Sequence, residues 1–212
     1  MTLINEEMLS CLRRKVAKGM SEKRYAHTLA VEDMAARMSK YLCPEKEGVL
    51  RAAALLHDIT KELALDEHIE ICNKYGVEYN DDNIAAKKTF HAMTAAAIVK
   101  NEYPELSCDE IILAVRYHTT GREGMTLPEK IIYIADYIDD TRKYDECIFL
   151  RNMFWEADLD GMTMDKRMAH LDRVVLKSLD ITISDLIEGG KVINRDTVAA
   201  RNDILKKINN RG

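Results

Sequence analysis

Residues 52–58, AAALLHD, run a stretch of small apolar side chains directly into a histidine and an aspartate. Alanines and leucines in this order favour a helix that neighbouring helices can approach closely, so the segment belongs in a helical core. The pair His57-Asp58 is thereby delivered toward the interior. An unpaired carboxylate there is costly to desolvate, and an adjacent cation removes that cost. A helix-end histidine followed by a capping aspartate is the plainer alternative, and the pair in isolation does not exclude it. Against that alternative stand His27, Lys61, His91, His118 and Asp136, which surround the pair at helix-scale intervals.

The rest of the chain has the same leaning. Three prolines and nine glycines in 212 residues argue against a strand-rich or loop-rich fold, and eleven methionines with abundant Ala, Leu, Ile, Glu and Lys favour helices. The expected fold is all-α, a helical bundle. Residues 1–20 form a short amphipathic helical extension ending near Gly19. Ser21 caps a helix whose apolar residues Leu29, Val31, Met34, Ala35 and Met38 recur at core-facing spacing, with His27 on it. After Pro44, VLRAAALLHDITKEL reads as one helix carrying both His57 and Asp58. DEHIEICNKY is amphipathic, and Gly76 with YNDDN marks a break. KTFHAMTAAAIVKNEY places His91 near a helix start, and Pro104 closes that neighbourhood. Ser107 and Glu110 have capping-box spacing before a helix that ends at His118. LPEKIIYIADYIDD starts with Pro128 at the first helical position and carries Asp136. Further helices are expected near 144–159 and 164–188, and a last one from near Thr197, with Asp196 or Thr197 as its cap. The organisation is an extension (1–20), a core (21–145) and C-terminal helices (146–212) packed on that core as part of the same domain.

Composition bounds the partners. A formal net charge of −5 gives no general attraction to nucleic acid, though it leaves room for a local basic pocket. No stretch has membrane-spanning length, and the N-terminus does not read as a signal peptide. Five dispersed cysteines without a CxxC pair suggest reduced thiols and a cytoplasmic location, and argue against a cysteine-held zinc. Ala-rich helices permit a homodimer without demanding one. There is no P-loop, GxGxxG fingerprint, zincin motif or nucleophile elbow.

Asp136 interrupts IIYIADYI, where an apolar residue would normally sit, and needs a cation, a histidine or a metal. His27, His57, Asp58 and Asp136 together form a mixed nitrogen and oxygen donor set. That set suits iron, manganese or another divalent transition metal better than calcium. His91 and His118 either complete a second metal position bridged by Asp58 or face phosphate. Lys61 follows Asp58 by three residues, and Arg24 precedes His27 by three. Arg142 lies just past the Asp136 helix. Each is also readable as an ordinary surface cation, but guanidinium geometry matches phosphate oxygens.

The longer motifs KRYAHTLAV, RAAALLHDITK, FHAMTAAAIV, AVRYHTTG and KIIYIADYIDDTR resemble the HD-domain metal-dependent phosphohydrolases. Within them they resemble the YqeK family of symmetric bis(5'-nucleosyl)-tetraphosphatases. The resemblance is strong over residues 20–145. It implies an HD-domain helical bundle, iron as the metal, and symmetric cleavage of diadenosine tetraphosphate to two ADP. It assigns His27, His57, Asp58 and Asp136 as metal ligands. Asp58, Lys61, His91, His118 and Arg142 become the catalytic group. Arg24 and Thr119 join them in substrate contact. In the tail, Thr197 and Arg201 either close over the nucleotide or cap and solvate a helix. Other HD-family nucleotide hydrolysis and a non-catalytic nucleotide-binding regulator are the alternatives.

Overall fold

Asn5 accepts a hydrogen bond from the Met8 amide (3.0 Å) and opens α1 (Glu6–Val16). Its acids fall in the first turn and its bases in the last, both favourable to the helix dipole. Leu9, Leu12 and Val16 share its buried face. Ser21 caps α2 (Glu22–Leu42) through the Arg24 amide at 3.2 Å. The Ser21 hydroxyl and amide also donate to Glu62, at 2.6 and 2.8 Å, fastening the start of α2 to the loop after the His-Asp pair.

The computed structural model describes residues 4–210, and among them there are only helices and turns. After α2 come α3 (Glu47–Leu56), α4 (Leu65–Tyr75), α5 (Asp81–Ala85), α6 (Lys87–Glu102) and α7 (Asp109–Tyr117). They are followed by α8 (Leu127–Ile138), α9 (Asp145–Trp155), α10 (Met164–Glu188) and α11 (Arg195–Asn209). The all-α expectation holds. Helices α2, α3, α7 and α8 pack on one another at the centre; α1 lies on α3, α6 on α7, and α10 joins α8 to α9 and α11. Ala52, Ala53 and Ala54 are fully buried, so the alanine run serves as the close-packing surface. One apolar core extends from Leu9 on α1 to Ile204 on α11. A smaller cluster of Cys72, Phe90 and Met93 seals α4 against α6.

Several helix ends differ from the sequence reading, each for a local reason. α3 stops at Leu56, so His57 and Asp58 sit at the helix exit and not within it. His57 Nδ1 donates to the Ala54 carbonyl (2.6 Å), and tight turns through Glu62 follow, with Lys61 N bonded to Asp58 O. Ser107 caps nothing: its hydroxyl donates to the Lys100 carbonyl (3.1 Å), while Glu110 pairs with Lys46. Part of the polar break at YNDDN folds as the one-turn α5, capped by Asn80. α8 begins at Leu127, making Pro128 its second residue, and Thr126 and Glu129 form the capping box. α9 ends at Trp155, short of the expected 159. α11 starts at Arg195 with Asn194 as cap (2.9 Å to the Asp196 amide), which leaves Thr197 buried inside the first turn. Gly76 ends α4 at φ +67°, a conformation a side chain would strain.

Candidate metal centre

Four helices and the α3 exit turn converge on Asp58. His27 comes from α2, His91 from α6 and Asp136 from α8, while His57 and His118 sit at the C-terminal ends of α3 and α7. Asp58 Oδ2 faces one side of the cluster, 3.7 Å from His27 Nε2 and 3.4 Å from His57 Nε2. Asp58 Oδ1 faces the other, 3.0 Å from His91 Nε2 and 3.6 Å from His118 Nε2. Asp136 Oδ1 lies 3.0 Å from His27 Nε2 and 3.8 Å from His57 Nε2. Two overlapping groups, His27–His57–Asp136 and His57–Asp58–His118, have donor atoms spaced to hold a metal ion.

The hydrogen bonding separates this cluster from an ordinary buried ion pair. His57 Nδ1 donates to Ala54 O, and His118 Nδ1 donates to Val115 O (2.7 Å). Both rings thereby have Nδ1 committed to the backbone and Nε2 directed into the cluster, the orientation a metal ligand requires. His27 Nε2, His57 Nε2 and Asp58 Oδ1 are buried without a hydrogen-bond partner, because the close contacts lack hydrogen-bond geometry. Unpartnered nitrogen and oxygen atoms converging on one space suit a cation. The residues fit a divalent metal, and the cluster is capable of binding one.

Protonation points the same way. Burial opposes the Asp58 charge, yet the surrounding histidines hold its carboxyl well below the usual range. Burial also opposes the Asp136 charge, and His27 with Arg142 overcomes it. Burial pushes His91 down to about 3 and lowers His118 as well, leaving both neutral. His27 differs: burial works against its charge, but Asp136 and Asp139 outweigh burial and raise it to about 9. A metal has to displace that one proton.

The cations predicted for phosphate contact surround the cluster. Arg24 Nη1 bonds Asp58 Oδ2 at 2.6 Å, and Arg142 Nη2 bonds Asp136 Oδ1 at 2.7 Å. Lys61 Nζ reaches to 3.2 Å from His91 Nε2 and 3.9 Å from Asp58 Oδ1, through a turn where helical spacing was expected. Asp136 keeps 16% of its side chain exposed, so the centre opens on its side. There it meets a cavity of about 280 Å³ lined by His118, Thr119, Asp136 and Arg142. Thr119 and Thr182 also line a cavity of about 380 Å³ that includes Leu186, Val192, Asn194 and Thr197. Thr119 Oγ1 is buried there without a partner. Arg201 is placed elsewhere: it bonds Asp180 at 2.9 Å and lines neither cavity, because α11 turns that face toward α10.

Sequence reasoning missed Asp139. It is fully buried, its Oδ2 lies 3.3 Å from His27 Nδ1, and its Oδ1 accepts from the Thr141 amide and hydroxyl. It orients the His27 ring, as a carboxylate facing the outer nitrogen orients a metal-ligating histidine. The available signal was a second aspartate three residues after Asp136, at the point where the apolar helix ends.

Comparison with known proteins agrees with this arrangement. The HD domain family profile matches residues 24–141, which carry every member of the cluster. The chain belongs to the HD-domain family. It is related within that family to the YqeK-type symmetric bis(5'-nucleosyl)-tetraphosphatases. It is 30% identical to the symmetrical bis(5'-nucleosyl)-tetraphosphatase of Staphylococcus aureus (strain NCTC 8325 / PS 47), over 81% of this chain and 86% of that one. The Bacillus subtilis (strain 168) protein of the same name is 32% identical over 73% of this chain and 79% of its own length. A crystal structure of a "predicted HD superfamily hydrolase involved in NAD metabolism" from Clostridium acetobutylicum superposes with a TM-score of 0.79 at 31% identity. That match covers 93% of this chain and 97% of the other. No helix among the described residues is long and apolar enough to cross a membrane.

Proposed function

We propose that this chain is a metal-dependent phosphoanhydride hydrolase of dinucleoside polyphosphates, cutting diadenosine tetraphosphate symmetrically to two ADP. The observation that carries this reading is the ring of inward-facing histidine Nε2 atoms around the two oxygens of Asp58. It is rimmed by Lys61, Arg24 and Arg142 and open beside Asp136. His27, His57, Asp58 and Asp136 would hold one metal; His91 and His118, with Asp58 bridging, would hold a second. The nitrogen and oxygen donor mixture fits iron, with manganese or another divalent transition metal as substitutes. When bound, such a metal supplies Lewis acidity and lowers the pKa of water.

The chain's own groups supply the rest. Arg142 and Lys61 stand on either side of the cluster, where they balance charge on the inner phosphates. Arg24, which bonds Asp58, would be placed to meet phosphate when a metal shares that carboxylate. His118 has its Nδ1 committed to a backbone carbonyl and Nε2 to the cluster, which favours a ligand role over proton donation to the leaving group.

Iron-reconstituted protein, handled anaerobically, should bind metal and convert diadenosine tetraphosphate to ADP alone by chromatography. AMP with ATP would mean a different phosphate register. No turnover by protein that holds iron would overturn the reading in favour of another substrate or a silent binding role.

A further inference from the structure

Tyr144 is 67% exposed, and among the described residues it makes no ring, cation or side-chain hydrogen-bond contact. A large ring left this open usually rests on mobile backbone, but here the backbone is clamped. Arg151 donates to the carbonyls of Ile138 (2.7 Å), Asp139 and Arg142 (2.9 Å), and Lys143 Nζ closes on the Asp140 carbonyl (2.8 Å). Arg142 N also bonds Asp139 O at 3.1 Å. The segment from the metal-capable helix to Tyr144 is thus pinned at successive carbonyls. The backbone that carries the exposed aromatic is fixed, which lowers the entropic cost of using it.

Its location is equally specific. Tyr144 and Arg142 form the lip shared by the central cavity over Asp136 and a second cavity of about 440 Å³. That second cavity also contains Lys23, Arg24, His27 and Lys143, so four cations and one aromatic ring line it. The central cavity also shares Thr119 and Thr182 with the cavity around Leu186, Val192 and Thr197, whose lining includes Lys88 and Lys191. Three neighbouring depressions therefore share lining residues: one mostly apolar, one metal-capable, and one cationic with an exposed ring.

A dinucleoside polyphosphate has the matching layout, two nucleosides flanking a chain of phosphates. Resting on the proposed function, we infer that Tyr144 is the stacking platform for the base of the second nucleoside, with Lys23 and Lys143 taking the phosphates on that flank. The cavity around Leu186 and Thr197 holds the first nucleoside. A mononucleotide fills only that side, while the dinucleotide engages both, so Tyr144 sets the preference for two-ended over one-ended substrates. Stacking on an aromatic face tolerates any base, and cations beside it suit the phosphates that follow.

Tyr144 is the residue before α9 and its side chain makes no capping bond, so replacing it removes no helix cap. The test is calorimetric binding of ADP and of a cleavage-resistant diadenosine tetraphosphate analogue carrying a methylene bridge. Tyr144→Ala should weaken the analogue about tenfold and leave ADP within about twofold, and Tyr144→Phe should restore wild-type binding. Phe149→Ala, another exposed ring on α9 but outside these cavities, should change neither. Equal losses for both ligands, no loss for either, or a changed oligomeric state in Tyr144→Ala would overturn the platform. If the wild-type protein bound neither ligand, the dinucleotide reading itself would fall, and the platform with it.

Discussion

The molecule buries two carboxylates close to the same helix pair, and they are treated in opposite ways. Glu32 on α2 has 6% of its side chain exposed and is gripped by two guanidinium groups. Arg13 Nε donates to one oxygen at 2.8 Å and Arg51 Nε to the other at 3.0 Å. Those bonds tie α1 and α3 to α2, and neither oxygen lacks a partner. Asp58 is buried still further, with 2% exposure. It has a single guanidinium bond and is surrounded by four histidine Nε2 atoms at 3.0–3.7 Å, with its Oδ1 left without a hydrogen-bond partner. The difference teaches that burial of charge does not by itself mark a site. Glu32 has both oxygens satisfied, whereas the Asp58 cluster leaves Asp58 Oδ1 and two histidine nitrogens without partners and is capable of binding a cation.

The sharpest way to break this comparison is to remove each acid. Asp58→Asn keeps the volume and deletes the charge on which two groups of donors converge. Metal affinity should fall by more than the roughly 10–100-fold typical of outer-shell changes, taking most turnover with it, while the fold persists. Metal content and hydrolysis of the purified variant decide the point; normal values for both would reject the assignment. Glu32→Ala should do the reverse. It removes the buried acid shared by Arg13 and Arg51, which keep only Glu6 and Glu47, and should cost about 1–3 kcal/mol of stability by urea unfolding. The folded fraction should still bind metal as the wild type does, and a metal defect there would erase the distinction.

Asp139 tests the boundary between the two kinds of region. It is fully buried, as a structural acid is, yet its Oδ2 faces the outer nitrogen of His27. Asp139→Asn should therefore lower metal affinity by about 10–100-fold, with a smaller effect than Asp58→Asn. Competition against a chelator of known strength would measure it. Unchanged affinity would make Asp139 a loop anchor, serving only the Thr141 amide and hydroxyl it already accepts from.

The candidate cluster was legible in the sequence for a physical reason. Histidines and aspartates interrupting apolar helical segments, as Asp136 does in IIYIADYI, have few ways to be satisfied in a core. The helical class was legible from composition and periodicity. Features that depend on how the chain leaves its helices were not. His57 ends α3 by bonding to a carbonyl three residues back, so Lys61 reaches His91 from a turn. Asn194, not Asp196, captures the start of α11, and the resulting rotation sends Arg201 to Asp180 and Thr197 to a cavity wall. Asp139 and Tyr144 lacked a periodic signature altogether, since their roles follow from the clamped segment after α8 and not from a helix face.

Two histidines extend the same contrast to a smaller effect. His27 and His68 are nearly equally buried, at 7% and 6% exposure. The carboxylates around His27 raise its pKa, whereas burial lowers that of His68 below its ordinary 6.5. His68 Nδ1 meets the Thr94 hydroxyl at 2.8 Å, and its ring packs edge-on to Phe90 with 5.7 Å between centroids. It is a neutral packing residue. Between its depressed folded value and 6.5, the unfolded chain binds the proton more readily. The stability His68 contributes is therefore complete above about pH 6.5 and declines as pH falls through that window, by at most about 1.4 kcal/mol per unit of depression. Other histidines titrate too, so the informative quantity is a difference. Urea unfolding at about pH 7.5 and 5.5 should show a smaller acid-dependent loss in His68→Gln than in the wild type. Equal losses would mean that His68 is already protonated in the fold, and that burial without a carboxylate does not keep a histidine neutral here.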